Sequence, residues 1–167
     1  MTSKRSENYL SSLFKLDGKV AVVTGAGGHL CGEMARTLAW AGCKVAILDL
    51  RLDKAEAVKN ELNEGGYPDV IAIEIDVAKK EDHVRALEIA ISEFDHVDIL
   101  VNGAGINGPT PFFELTLDEW NSILESQITG TFLGCQVFGE HMVNRGSGSV
   151  INLSSASAGP PLSKAIT

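Results

Sequence analysis

The stretch Lys19-Val-Ala-Val-Val-Thr-Gly-Ala-Gly-Gly-His-Leu-Cys-Gly32 decides the fold class. Its first part, Lys19 to Thr24, is a nearly all-apolar run, as a strand covered on both faces requires. Its second part is a glycine-rich turn opening onto an amphipathic helix predicted over Leu30–Trp40, which Gly42 ends as a left-handed cap. Strand, glycine turn and helix are the beginning of a βαβ unit.

The same alternation continues outward from this stretch. Lys44–Asp49 is the second predicted strand, and Asp53 is suited to cap a helix that runs to Glu64 and ends at Gly65-Gly66. Val70–Ile75 is a third strand, Lys80–Glu93 a third helix and Val97–Val101 a fourth strand. Thr116-Leu-Asp-Glu119 is a capping box that starts a long helix. On that helix Trp120, Leu124, Ile128, Thr131, Cys135, Phe138 and Met142 recur at helical spacing and predict one buried stripe. Ser147-Gly148 breaks it before a fifth strand, Ser149–Leu153. Five strands and four helices, with no repeat and no linker, give an α/β fold once crossovers are right-handed: a doubly wound parallel sheet, Rossmann-like, in its N-terminal five-strand portion.

Composition narrows the function classes. The chain has 167 residues, 22 acidic against 14 basic, and a net charge of −8, which disfavours a nucleic-acid partner because a phosphate backbone needs a basic face. Cys31, Cys43 and Cys135 form no CxxC pair and read as reduced thiols of a cytoplasmic protein. No apolar run approaches the roughly 20 residues of a membrane helix, and the first 18 residues show no signal-peptide pattern. His29, His83, His96 and His141 show no metal-ligand spacing, so no metal site is expected.

Ligands of doubly wound sheets sit at the carboxyl ends of the strands. Gly25, Gly27 and Gly28 let backbone amides approach a diphosphate at a helix N-terminus, where the dipole favours negative charge. Asp49 ends the second strand about 20 residues after the turn, where a carboxylate accepts both ribose hydroxyls and repels a 2′-phosphate. That points to NAD rather than NADP, although Arg51 leaves some tolerance of NADP. Asp76 ends the third strand, within reach of an adenine amino group. The fourth ends Asn102-Gly103-Ala104-Gly105, where small residues let a flat ligand lie against the backbone and Asn102 is placed to brace neighbouring strands. The fifth ends Ser154-Ser155-Ala156-Ser157, whose hydroxyls are placed to polarise a substrate carbonyl.

In order and spacing, Thr24-Gly25 with its glycine loop, Asp49, Asp76-Val77, Asn102-Gly-Ala-Gly105, Thr129-Gly-Thr-Phe132 and Ile151-Asn-Leu-Ser-Ser155 resemble the short-chain dehydrogenase/reductase family from about Leu16 to the last residue. The loop Leu30-Cys31-Gly32 resembles a branch acting on sugar acids and polyols, the mannonate oxidoreductases. The resemblance implies an NAD-dependent oxidoreductase that moves hydride between nicotinamide and an alcohol or ketone substrate. It implies a cofactor set of Gly25, Gly27, Gly28, His29, Leu30, Asp49, Leu50, Asp76, Val77, Asn102, Gly103 and Ala104. Ser155 falls on the family's catalytic Ser and Gln127 on its catalytic Asn. The second and third glycines of the family's loop fall on His29 and Cys31, and the second Asn of its Asn-Asn-Ala-Gly falls on Gly103.

The family's Tyr-x-x-x-Lys would begin just past Thr167, and the only tyrosines here are Tyr9 and Tyr67. The expected organisation is therefore an N-terminal extension over 1–15 and an NAD-binding domain over 16–167, incomplete at its C-terminus and inactive alone. The full-length protein would then be a cytoplasmic homo-oligomer, dimer or tetramer, with no membrane partner. A second reading, a non-catalytic dinucleotide-binding or interaction module, is favoured by His29, Gln127 and the missing Tyr.

Overall fold

The structure is a computed structural model, and it describes residues 13–108 and 110–155. Among these residues five parallel strands form one sheet: β1 (Val20–Thr24), β2 (Lys44–Asp49), β3 (Val70–Glu74), β4 (Ile99–Asn102) and β5 (Ser149–Asn152), in the order β3-β2-β1-β4-β5. The chain winds outward through β1, β2 and β3, then crosses back to place β4 on the other side of β1. The topological switch therefore lies between β1 and β4, whose register pairs Val22 with Leu100 and Val23 with Val101.

Two cores flank the sheet because successive strand residues point to opposite faces. Val20, Val22, Ala46, Leu48 and Leu100 pack with Ala86, Ala90 and Phe94 of α3 (Lys80–Phe94) and with Val137, Phe138 and Met142 of α5 (Gly130–Arg145). On the other face Ala21, Val23, Val45 and Ile47 pack with Cys31, Ala35 and Ala39 of α1 (His29–Trp40) and Ala55, Val58 and Leu62 of α2 (Leu52–Glu64). β1 is buried throughout, as its apolar run requires, whereas β5 is an exposed edge.

Several boundaries differ from the sequence reading. α2 begins at Leu52 behind Arg51, so Asp53 is not its cap but an acidic residue of its first turn, where the helix dipole favours it. Gly42, at φ +100°, does end α1 as expected. The predicted long helix is divided into α4 (Leu117–Leu124), a π-helical turn over Glu125–Thr129, and α5. Thr116 caps α4 by accepting the Glu119 amide at 3.2 Å. Gly146, at φ +73°, ends α5 two residues ahead of Gly148.

The predicted buried stripe holds only in its second half. Phe138 and Met142 are buried, whereas Trp120, Leu124 and Ile128 are exposed. The face that meets the sheet carries Gly130 and Gly134, because a Cβ at Gly130 would stand 2.9 Å from Val77 and one at Gly134 would strike Asn102. The buried face therefore combines these two glycines with the apolar side chains Leu133, Val137, Phe138 and Met142. Of the expected extension over 1–15, residues 1–12 lie outside the described residues, as does everything after Ser155.

Candidate cofactor site at the switch point

A cleft of about 300 Å³ opens at the carboxyl ends of the strands, bordered by Gly25, Gly28, Asp49, Leu50, Arg51, Asp76, Val77, Gly103, Ala104 and Gly105, with Ile75, Ile106 and Ser126 completing it. Thr24 holds its two halves together. The buried hydroxyl donates to the Val101 carbonyl at 3.3 Å and accepts the Gly103 and Ala104 amides at 3.0 and 3.2 Å. Gly25 follows at φ +72°, and a Cβ there would stand 2.9 Å from the Ala104 Cα. Both the conformation and the close approach demand glycine.

Asp49 is buried at the end of β2, with its carboxylate turned into the glycine turn. One oxygen accepts the Gly27 amide at 3.0 Å and the other accepts the Arg51 amide at 3.0 Å. A Cβ on Gly27 would stand 2.8 Å from that carboxylate and 2.6 Å from Lys54 Cβ, so only glycine admits the contact. Asp76 is fixed in a similar way: its carboxylate accepts the Ala78 amide at 3.1 Å and pairs with Lys79 at 3.0 Å. The Asp76 amide donates to Asp82 at 2.8 Å. That bond, with Arg85 beside it, holds the Asp82 carboxyl below its ordinary range.

His83 supports the same wall from beneath. Its ring nitrogen Nε2 bonds the Val77 carbonyl at 2.8 Å, while Nδ1 is buried with no hydrogen-bond partner among the described residues. Burial holds the imidazole below its ordinary pKa, against the pull of the Val77 carbonyl, Asp82 and Asp76.

Eight of the twelve expected cofactor residues thus border one cleft: Gly25, Gly28, Asp49, Leu50, Asp76, Val77, Gly103 and Ala104. Gly27 lies behind it, tied to Asp49. His29 and Leu30 stand exposed in the first turn of α1 and do not border the cleft. Among the described residues no side chain caps that turn, and it holds no acidic residue.

Asn102 also stays out of the cleft. Its buried amide donates to Asn152 at 2.8 Å and contacts the Cys135 sulfur at 3.4 Å, bracing β4 against β5 and α5. Gln127 sits within the π-turn and donates to the Ile106 carbonyl at 2.7 Å, with Gly105 against its side chain. Such turns concentrate at functional sites. Ser155 is exposed three residues beyond β5 and does not border the cleft. Sequence reasoning overlooked Thr24 as a site residue, although its place ahead of the first glycine was visible. It also overlooked Ile75, Ile106 and Ser126 as cleft residues, whereas Arg51 and Gly105, weighed at the strand ends, do border the cleft.

A dinucleotide fits this geometry. Gly25 and Gly103 provide backbone walls without side chains, the uncapped start of α1 suits a diphosphate, and two carboxylates stand at the ends of β2 and β3.

The short chain dehydrogenase family pattern matches residues 19–166. The chain belongs to the short-chain dehydrogenase family. D-threitol dehydrogenase of Mycolicibacterium smegmatis is 38% identical over 145 residues, an alignment covering 87% of this chain and 55% of that protein. The oxidoreductase UxuB of Bacillus subtilis is 38% identical over 164 residues, covering 89% and 59%. The 7alpha-hydroxysteroid dehydrogenase of Escherichia coli is 32% identical over 148 residues. A crystal structure from Sinorhizobium meliloti, described as a short-chain alcohol dehydrogenase, superposes with a TM-score of 0.85 at 27% identity, covering 92% of this chain and 60% of that one. The chain therefore spans a little over half the length of these relatives. Short-chain dehydrogenases are oxidoreductases that use nicotinamide cofactors, and the doubly wound sheet read from the sequence is the sheet observed.

Proposed function

We propose that this chain is the dinucleotide-binding portion of an NAD-dependent oxidoreductase acting on an alcohol or carbonyl, with a polyol or sugar acid as substrate class. One observation carries the reading: the glycine turn, Asp49, Asp76 and Gly103–Ala104 converge on a single cleft at the switch between β1 and β4. Similarity to a threitol dehydrogenase supports the substrate class.

Nicotinamide, when bound, supplies the hydride acceptor or donor. The chain's own residues bind and orient. The glycine turn and the first turn of α1 hold the diphosphate, since aligned amides favour negative charge. Asp49 takes the adenosine ribose hydroxyls and repels a 2′-phosphate. Asp76 and Val77 border the adenine end, held there by Asp82 and His83. Gln127 keeps the Gly105–Ile106 backbone in place by donating to it. Ser155 holds the reacting oxygen of the substrate. Among the described residues Tyr67 is the only tyrosine, and it borders a second cleft at the amino ends of β2 and β3, away from this chemistry. The acid–base group of the complete reaction is therefore not Tyr67.

Fluorescence titration of the folded chain with NADH and NADPH tests the proposal. NADH should bind more tightly. Tighter NADPH binding refutes the cofactor assignment, and binding of neither by a chain with native circular dichroism refutes the function.

A further inference from the structure

Cys31 and Gly103, far apart in sequence, touch. Cys31 lies in the first turn of α1, buried beneath the floor of the cleft, and its thiol donates to the Gly103 carbonyl at 3.4 Å. A Cβ placed on Gly103 would land on the Cys31 sulfur, 2.8 Å from Leu153 Cδ1 and 3.3 Å from the Thr24 carbonyl. The leucine methyl ends a flexible side chain and can swing away. The sulfur is one bond from Cβ on a helix, where few χ1 rotamers are open to it. Burial, with the nearby Asp49 charge, pushes the Cys31 thiol up, so it keeps the proton it donates.

The backbone it touches is the cleft wall. Gly103 and Ala104 border the cleft, and Thr24 accepts both of their amides from the β1 side. Gly103 is thus gripped through its amide by Thr24 and through its carbonyl by Cys31. We infer that Cys31 is a positioning residue: its sulfur fills the volume a side chain at position 103 would need, and its S–H tethers the Gly103 carbonyl, so residues 31 and 103 jointly set where the wall stands against a dinucleotide. Residues 31 and 103 exchange volume across a single contact. The ligand half of this inference rests on the function proposed above, whereas the packing half does not.

The experiment is a double-mutant cycle read by Tm and by NADH affinity. Cys31→Ala empties the space under Gly103 and should weaken NADH binding about fivefold, while Cys31→Ser keeps a donor and should stay within about twofold. Gly103→Ala should lower Tm and weaken NADH binding by about tenfold or more, because overpacking displaces the wall. Cys31→Ala/Gly103→Ala should recover much of both losses, since the new methyl group enters the vacated space. If Gly103→Ala does not fold, soluble double variant supports the exchange and insoluble double variant overturns it.

Additive losses in the double variant overturn the inference, as does a Cys31→Ala protein with unchanged Tm and unchanged NADH affinity. Coupling in Tm without NADH binding by the unmodified chain overturns the ligand half together with the proposed function. NADH binding without coupling overturns the inference alone.

Discussion

Asp49 accepts the Gly27 amide at 3.0 Å while its other oxygen accepts the Arg51 amide at 3.0 Å. The carboxylate proposed to select the cofactor therefore also closes the glycine turn that would hold the diphosphate. Selectivity and turn geometry are carried by the same side chain, so a substitution there has two effects that must be separated.

Asp49→Asn removes the charge and keeps one amide oxygen as acceptor. It should raise NADPH affinity relative to NADH by about tenfold, because a charge facing a phosphate across a few ångströms costs at least that much. Asp49→Ala should show the same shift in preference but bind both nucleotides less well, since it leaves the Gly27 and Arg51 amides without their acceptor at about 1 kcal/mol each. Paired titrations and urea unfolding of the two variants separate the effects. Equal stability of the Asn and Ala variants would show that the turn does not depend on Asp49.

Thr24→Val conserves shape and removes the acceptor for the Gly103 and Ala104 amides. Two donors left unpaired at a buried junction should cost about 2–4 kcal/mol in total. Thr24→Ser should restore most of that loss, which a role for the methyl group would not allow. Denaturant midpoints of the three proteins decide it.

Gly134→Ala sets two effects against each other. Alanine favours a helix over glycine by about 1 kcal/mol. The added Cβ would strike the Asn102 amide that holds Asn152, with overpacking costing about 1–3 kcal/mol and the broken bond adding to it. The clash should win, and Tm should fall. A rise in Tm would mean that α5 can move off the sheet at little cost.

Stability should decline on mild acidification. His141 accepts the Val97 amide on Nε2 at 3.2 Å, which requires that nitrogen unprotonated. Burial and the neighbouring charges of Arg145 and His96 hold its pKa below the ordinary value, with Asp98 opposing them. His83 is lowered too, chiefly by burial. A group whose folded pKa lies below its unfolded one contributes stability above the unfolded value, about 6.5 for histidine, and loses it as pH falls through the folded value.

The loss should begin below about pH 6.5. His141→Gln, which offers a non-titrating acceptor, should flatten part of it. Asp98 titrates in a separate window. Burial raises its pKa, but the Val20 amide, Lys19 and His96 outweigh that and hold it below the ordinary carboxylate value. Its contribution is therefore lost only at lower pH. Urea unfolding at intervals between pH 5 and 8 measures the histidine effect, and identical slopes in the two proteins would exclude His141.

The strands of the sheet were legible because each is a local apolar run, and β1 and β2 came within a residue of the expected ends. So were the glycine turn, the Thr116 cap and, of the cleft residues, Gly25, Gly28, Asp49, Asp76, Gly103 and Ala104, since strand ends in a doubly wound sheet converge by topology, whereas Leu50 and Val77 followed only from the family resemblance. The face of the α4–α5 region was not legible. Gly130 and Gly134 carry no hydropathy signal, yet they let the helix approach Val77 and Asn102 most closely. Nor could any local pattern show that Thr24 reaches across 79 residues to the Gly103 amide, that Asn102 faces Asn152, or that the Asp49 carboxylate turns back to Gly27. Hydropathy and turn chemistry act between neighbours in sequence, so they determined which elements form and in what order they wind. Which polar groups meet at the switch point was decided only when β1 and β4 came side by side, because those bonds join residues that the sequence keeps far apart.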